Sequence, residues 1–141
     1  MTARPGAGHR SVAHTADLRI EAWAPTRQRC IAEAVHGMVD SFADAQLPSP
    51  DTTVECAVAG ERDEDLLVGV LDEVIYRMET RGELPVATEV SPTAKGVRVR
   101  FRMVDSAAVV STGSVPKAVS LHELRIAPHA DGWSCSVTID V

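Results

Sequence analysis

Ala13-His14-Thr15-Ala16-Asp17-Leu18-Arg19-Ile20-Glu21-Ala22-Trp23 is the stretch from which the rest of the chain is read. From Leu18 it alternates, with Leu18, Ile20 and Ala22 on one side and Asp17, Arg19, Glu21 and Trp23 on the other, which is the period of a half-buried strand. Asp17 therefore heads a strand on its polar face. The far end of the sequence repeats the pattern: Ser134-Cys135-Ser136-Val137-Thr138-Ile139-Asp140-Val141 also alternates, and Asp140 also has polar-face parity. Two strands, one near each end, each bring a single aspartate.

Between them the periodicity changes. Ala24-Pro25-Thr26 ends the first strand, and Thr26 is an N-cap for a helix whose apolar positions Ile31, Val35, Met38, Val39 and Phe42 recur at three and four residues. Leu47-Pro48-Ser49-Pro50 stops it. A short strand follows with Val54, Cys56 and Val58 inward. A second helix, capped by Asp63, then buries Leu67, Val70, Leu71, Val74 and Met78 and closes at Arg81-Gly82. The second half reads as strands only: 86–91, a turn at 91–96, a strand at 97–103, a loop at 104–114, a strand at 117–126, the turn Asp131-Gly132, and a last strand at 133–141. The order β-α-β-α-β-β-β-β predicts an α+β fold, a mostly antiparallel sheet with two helices on one face. Residues 1–10, aperiodic and with two glycines, read as a flexible lead-in in which His9 has no role, and residues 11–141 as one domain.

Size and composition agree. The 141 residues suffice for one core and not for two, and 45% hydrophobic with 24% charged residues is ordinary for a globular chain. The net charge of −6 excludes a generic nucleic-acid binder, since phosphate repels the molecule except at a local basic patch. One such stripe is Arg98, Arg100 and Arg102 on the outward side of the 97–103 strand, which could meet RNA or an acidic partner, although such a stripe is more often an exposed strand face balanced by acidic neighbours. With no apolar run near the roughly 20 residues that span a bilayer and no leader-like start, a cytoplasmic protein without membrane association is expected. Cys30, Cys56 and Cys135 are odd in number and widely spaced, so buried free thiols are expected.

The familiar catalytic and nucleotide motifs are absent: no Walker loop, Gly-x-Gly-x-x-Gly, Gly-x-Ser-x-Gly or His-Glu-x-x-His. What remains is acidic. If the two terminal strands are neighbours, Asp17 and Asp140 converge on one hard cation, calcium or magnesium, with carbonyls and water completing the shell and Val141 one residue away. Single strand aspartates more often stand in solvent or cap a turn. His14 and His122 are each candidates for a base beside such a cation, which would make a small metal-dependent hydrolase. Lys117, one of two lysines against 12 arginines, offers a compact point charge.

Four blocks together resemble the archease family: Ala13-His14-Thr15-Ala16-Asp17; Asp65-Leu66-Leu67-Val68 leading to Asp72-Glu73-Val74-Ile75-Tyr76; Pro116-Lys117-Ala118-Val119-Ser120-Leu121-His122-Glu123-Leu124; and Val137-Thr138-Ile139-Asp140-Val141. They stand in that family's order and cover nearly the whole chain after residue 10. The resemblance implies a small α+β protein that is not itself an enzyme. It implies a cofactor of the RtcB-type RNA ligase, promoting guanylylation and multiple turnover in tRNA splicing or RNA repair, with RNA met only through the ligase. It places the metal-binding aspartates at Asp17 and Asp140, with Val141 contributing through its main chain or terminus. Lys117 would steer a nucleotide phosphate or an acidic group, and His14 and His122 lie on the same partner-facing side. Leu121 stands where the family often has an aromatic residue.

Overall fold

A computed structural model describes residues 6–13, 17–43 and 47–141. Its elements are β1 (Gly8–Ala13), β2 (Asp17–Ala24), α1 (Arg27–Asp40), β3 (Thr52–Ala59), α2 (Asp63–Arg81), β4 (Glu83–Pro92), β5 (Gly96–Asp105), a 3-10 turn (Ser106–Ala108), β6 (Ala118–His129) and β7 (Gly132–Asp140). The fold is α+β and every strand pair is antiparallel. The strands divide into two sheets, of order β1-β2-β7-β6 and β3-β5-β4, where the sequence suggested one. Both helices pack on both sheets: α1 lies on β2 and β4 alike and also on β1 and β7, while α2 lies foremost on β6 and also on β3, β4 and β5. A single cluster of buried side chains joins both sheets and both helices, with Ile20, Ile31, Leu67, Phe101 and Ile139 among its members. No helix among the described residues is long and apolar enough to cross a membrane.

Local rules account for most elements. In β2, burial alternates strictly from Asp17 to Ala24 with the apolar residues inward, and Val54, Cys56 and Val58 are the inward side of β3. Thr26 caps α1, its side chain accepting from the Arg29 N–H at 3.2 Å. α2 starts one residue from the expected place. Arg62 is the N-cap, and the Asp65 carboxylate accepts from the Arg62 N–H at 3.3 Å, so the acidic first turn Asp63, Glu64 and Asp65 both caps the helix and complements its dipole. Gly82 closes it in the left-handed region, φ 63°, which costs glycine nothing.

Two segments depart from the sequence reading. Residues 8–10, expected to belong to a flexible lead-in, pair within β1, so that β1 and β2 run antiparallel from Gly8 opposite Trp23 to Ala13 opposite Leu18. His9 faces inward on β1 and is not idle: its Nδ1 lies 2.9 Å from Glu33 and its Nε2 2.7 Å from Asp40, both on α1. The 104–114 segment is also anchored. The Asp105 side chain accepts from the Ala107 N–H at 2.9 Å to cap the 3-10 turn, and the Thr112 N–H donates to the Phe42 carbonyl at 2.6 Å.

Candidate functional site

β2 and β7 are neighbours, which the parity argument required but did not supply. Their register sets Asp17 directly opposite Asp140, and Ala118 of β6 lies on the other side of Asp140. Cβ atoms of residues facing across an antiparallel pair lie roughly 5 Å apart, and like charges placed so are destabilising. Neither carboxylate has an ion pair or side-chain hydrogen bond among the described residues. The pair therefore stands half-exposed to exposed at the sheet's end, and no described cation forms an ion pair with it. Two opposed carboxylates suit a hard divalent cation, although the described residues contain no group of three acidic, histidine or cysteine side chains around one point.

Lys117 joins this end through the backbone: its N–H donates to the Asp140 carbonyl at 2.8 Å, and its side chain is exposed. Val141 follows directly and is half-buried. His14 lies outside the described residues.

His122 is placed differently from the expectation. The 117–126 segment reads as an uninterrupted strand, but β6 shifts register between Ser120, opposite Thr138, and Arg125, opposite Ser136. Residues 121–124 thus face the single position Val137 and bulge outward. Glu123 takes φ 55°, a left-handed backbone unusual for a non-glycine residue. The His122 N–H donates to the Ser120 hydroxyl at 3.2 Å, and the Glu123 carboxylate accepts from Arg19 at 2.7 Å, tying the bulge to β2. At its tip Leu121 is 72% exposed. The residue pattern carries a trace of this bulge: the apolar positions are odd before it, Val119 and Leu121, and even after it, Leu124 and Ile126.

Described residues line two depressions in the surface. One, of about 450 Å³, is lined by Arg19, Glu21, Glu123, Leu124, Arg125 and Ser136. The other, of about 730 Å³, lies where Arg27 donates to Asp63 at 2.9 Å beside Lys95. Neither is lined by Asp17 or Asp140.

The cysteines are free, with Cys30 and Cys135 buried and Cys56 half-buried. A hydrogen bond with Cys135, together with burial, pushes the Cys30 thiol up, and burial raises Cys56, so neither is a thiolate nucleophile.

Fold and site define a class: a small α+β domain of two antiparallel sheets and two helices, with paired carboxylates at one sheet end. Residues 9–141 match the family model described as the Archease protein family (MTH1598/TM1083), and the chain belongs to that family. It is 51% identical over 140 residues to the probable protein archease of Mycobacterium tuberculosis strain H37Rv, covering 98% of this chain and 78% of that one. The protein archease of Methanosarcina barkeri is 29% identical over 143 residues, covering 91% and 92%. Among solved structures, protein 1598 of Methanobacterium thermoautotrophicum superposes with TM-score 0.76 at 18% identity, covering 95% of this chain and 99% of that one. An archease of Thermotoga maritima, described as a possible chaperone, gives 0.67 at 18% identity, covering 100% and 98%.

Proposed function

We propose that this protein is a non-enzymatic, cytoplasmic cofactor of an RtcB-type RNA ligase, docking its acidic end near the ligase active site and promoting guanylylation and multiple turnover in tRNA splicing or RNA repair. The reading rests on family membership, and the observation that carries it to named residues is the register pairing of Asp17 with Asp140 on an open sheet end. Asp17 and Asp140, with an oxygen of Val141, would hold a divalent cation, calcium or magnesium. When bound, the cation supplies a hard positive charge at the docking end. The chain's own residues do the rest: β2 and β7 fix the two carboxylates at one level, and the Lys117 N–H pins the Asp140 carbonyl. The Lys117 side chain stands free in solvent for a phosphate or carboxylate, and His122 rides on the adjoining bulge.

Two experiments test this. In the first, ligase guanylylation is followed with and without the protein; stimulation by wild type and its loss in Asp17→Ala and Asp140→Ala are expected, and equal stimulation by both variants overturns the role of the acidic end. The second needs no ligase. Asp17→Asn relieves the cross-strand repulsion, so the metal-free variant is expected to unfold at or above the wild-type temperature, by up to about 1 kcal/mol of stability. Calcium or magnesium then raises the melting temperature of wild type only. A melting temperature of wild type indifferent to both cations removes the metal from the reading.

A further inference from the structure

The three-stranded sheet covers the core with one face and turns the other to solvent. On that outer face β5, its central strand, carries Arg98, Arg100 and Arg102, all exposed, at alternate positions. The side chains form one straight file with a step of about 6.8 Å, twice the strand rise, of the same order as the separation of successive phosphates along a nucleic-acid strand.

Register shows how each arginine is neighboured. Arg100 lies between Glu55 of β3 and Glu89 of β4, and its Nε is 3.9 Å from the Glu55 carboxylate. Arg98 lies between Ala57 and Ser91, and Arg102 between Thr53 and Ala87. These neighbours are small and uncharged, and among the described residues neither Arg98 nor Arg102 makes an ion pair or hydrogen bond. In a chain of net charge −6, with acidic side chains in surplus, Arg98 and Arg102 have no acidic side chain directly opposite, the nearest across the sheet being Glu55 and Glu89 on the diagonals. The face holds three arginines against two glutamates, and is locally basic where the molecule as a whole is acidic.

We infer that this face is a contact surface for a nucleic-acid strand, held by its phosphodiester backbone, with Arg98 and Arg102 as the binding cations and Glu55 and Glu89 neutralising Arg100 and keeping affinity low. The flanking positions Thr53, Ala57, Ala87 and Ser91 are short and no aromatic residue stands among them, so the strand is held without base stacking and without sequence preference. This inference is independent of the acidic end, which belongs to the other sheet.

The test is titration of labelled oligo(U), with oligo(dT) of equal length as a second arm to separate RNA from DNA as the source of the phosphates. With two effective cations on a single strand, affinity is expected to fall about 7-fold between about 50 mM and 200 mM salt. Arg98→Ala/Arg102→Ala is expected to abolish binding while its unfolding curve stays that of wild type, because both residues are exposed and unbonded. Arg100→Ala should change affinity little. Glu55→Gln/Glu89→Gln frees a third cation, tightens binding, and should steepen the fall to about 18-fold over the same range. Oligo(dT) binding equally identifies the shared backbone as the ligand; preference for oligo(U) identifies RNA. Absence of oligonucleotide binding at the low salt, an unchanged affinity in the Arg98/Arg102 variant, or displacement of the oligonucleotide by a polyglutamate peptide at matched charge would overturn the inference, the last in favour of an acidic protein surface.

Discussion

His9 bonds a carboxylate from each ring nitrogen, Glu33 at 2.9 Å and Asp40 at 2.7 Å. Both contacts are donations only if the ring is the imidazolium. Burial lowers the His9 pKa, but the hydrogen bonds from Glu33 and Asp40 and their charges outweigh it, leaving it raised above the ordinary histidine value. A raised folded-state pKa contributes stability that is complete below the unfolded value of about 6.5 and is lost as pH climbs through the folded value. His36, half-buried on α1, behaves in the opposite sense. Burial pushes its pKa down, against the pull of Glu33 and Asp40, so its contribution is complete above about 6.5 and is lost as pH falls below. The two windows do not overlap, and the alkaline side belongs to His9. Glu33 is 25% exposed and Asp40 55%, so the first pair contributes about 1 kcal/mol and the second about 0.5. Unfolding free energy of wild type in urea should therefore drop by about 1–1.5 kcal/mol between about pH 6 and pH 8.5, roughly 5 °C in melting temperature for a domain of this size. His9→Gln should abolish the drop, and Glu33→Gln should remove more of it than Asp40→Asn, despite the longer bond, because it is better shielded. A His9→Gln protein with the same alkaline loss as wild type would refute the assignment. The outcome matters for the site, since the clamp holds β1 onto α1 and the chain leaves β1 for Asp17. Gly37 permits the approach: a Cβ there would stand 3.2 Å from the His9 Cβ and 2.8 Å from an Ile20 methyl carbon.

Other outcomes follow from the same packing. Phe101, wholly buried on β5 where both helices and both sheets meet, should cost about 3–5 kcal/mol as Phe101→Ala in urea unfolding. Under native conditions, mass spectrometry after alkylation should show Cys56 modified slowly and Cys30 and Cys135 protected until the protein unfolds. Leu121→Asp should leave the unfolding midpoint within about 0.5 kcal/mol of wild type, while weakening any partner that seats on the bulge; a large loss of stability would mean that Leu121 packs inward.

The periods of two and of 3.6 were legible because β2, β3, β5 and α1 each bury one face, and burial imposes its rhythm on the residues. The division into two sheets was not, because pairing partners are chosen by long-range contacts that leave no local mark. Parity told which face Asp17 and Asp140 share, yet only the register of β2 on β7 shows that they stand at one level. β1 was missed for a physical reason: Gly8–Ala13 contains little that is apolar, and it is held by backbone pairing to β2 and by the His9 clamp. The Arg10–Glu21 ion pair adds to these. The cap of α2 was misplaced by one residue because Asp63 and Asp65 are both good at a helix start, and only geometry shows that Asp65 reaches back.

The strand rule also fails at the β6 bulge, as it does at the register shift of β4 between Pro85 and Ala87, and the position of the β6 bulge bears on function. The apolar parity switches between Leu121 and Leu124, and a straight strand would have kept Glu123 in an extended backbone at no cost. Instead the chain spends roughly 1–2 kcal/mol on a left-handed glutamate and exposes Leu121, which burial would have favoured by a similar amount or more. Neither cost is recovered in the core, since the compensating contacts, Arg19 to Glu123 and Ser120 to the His122 N–H, are solvent-exposed. A fold that tolerates such a loss beside the row of Asp17, Asp140 and Ala118 is displaying an apolar side chain, not hiding one. That supports the reading of this end as the docking end, with the carboxylates setting the electrostatic match and Leu121 supplying the apolar contact.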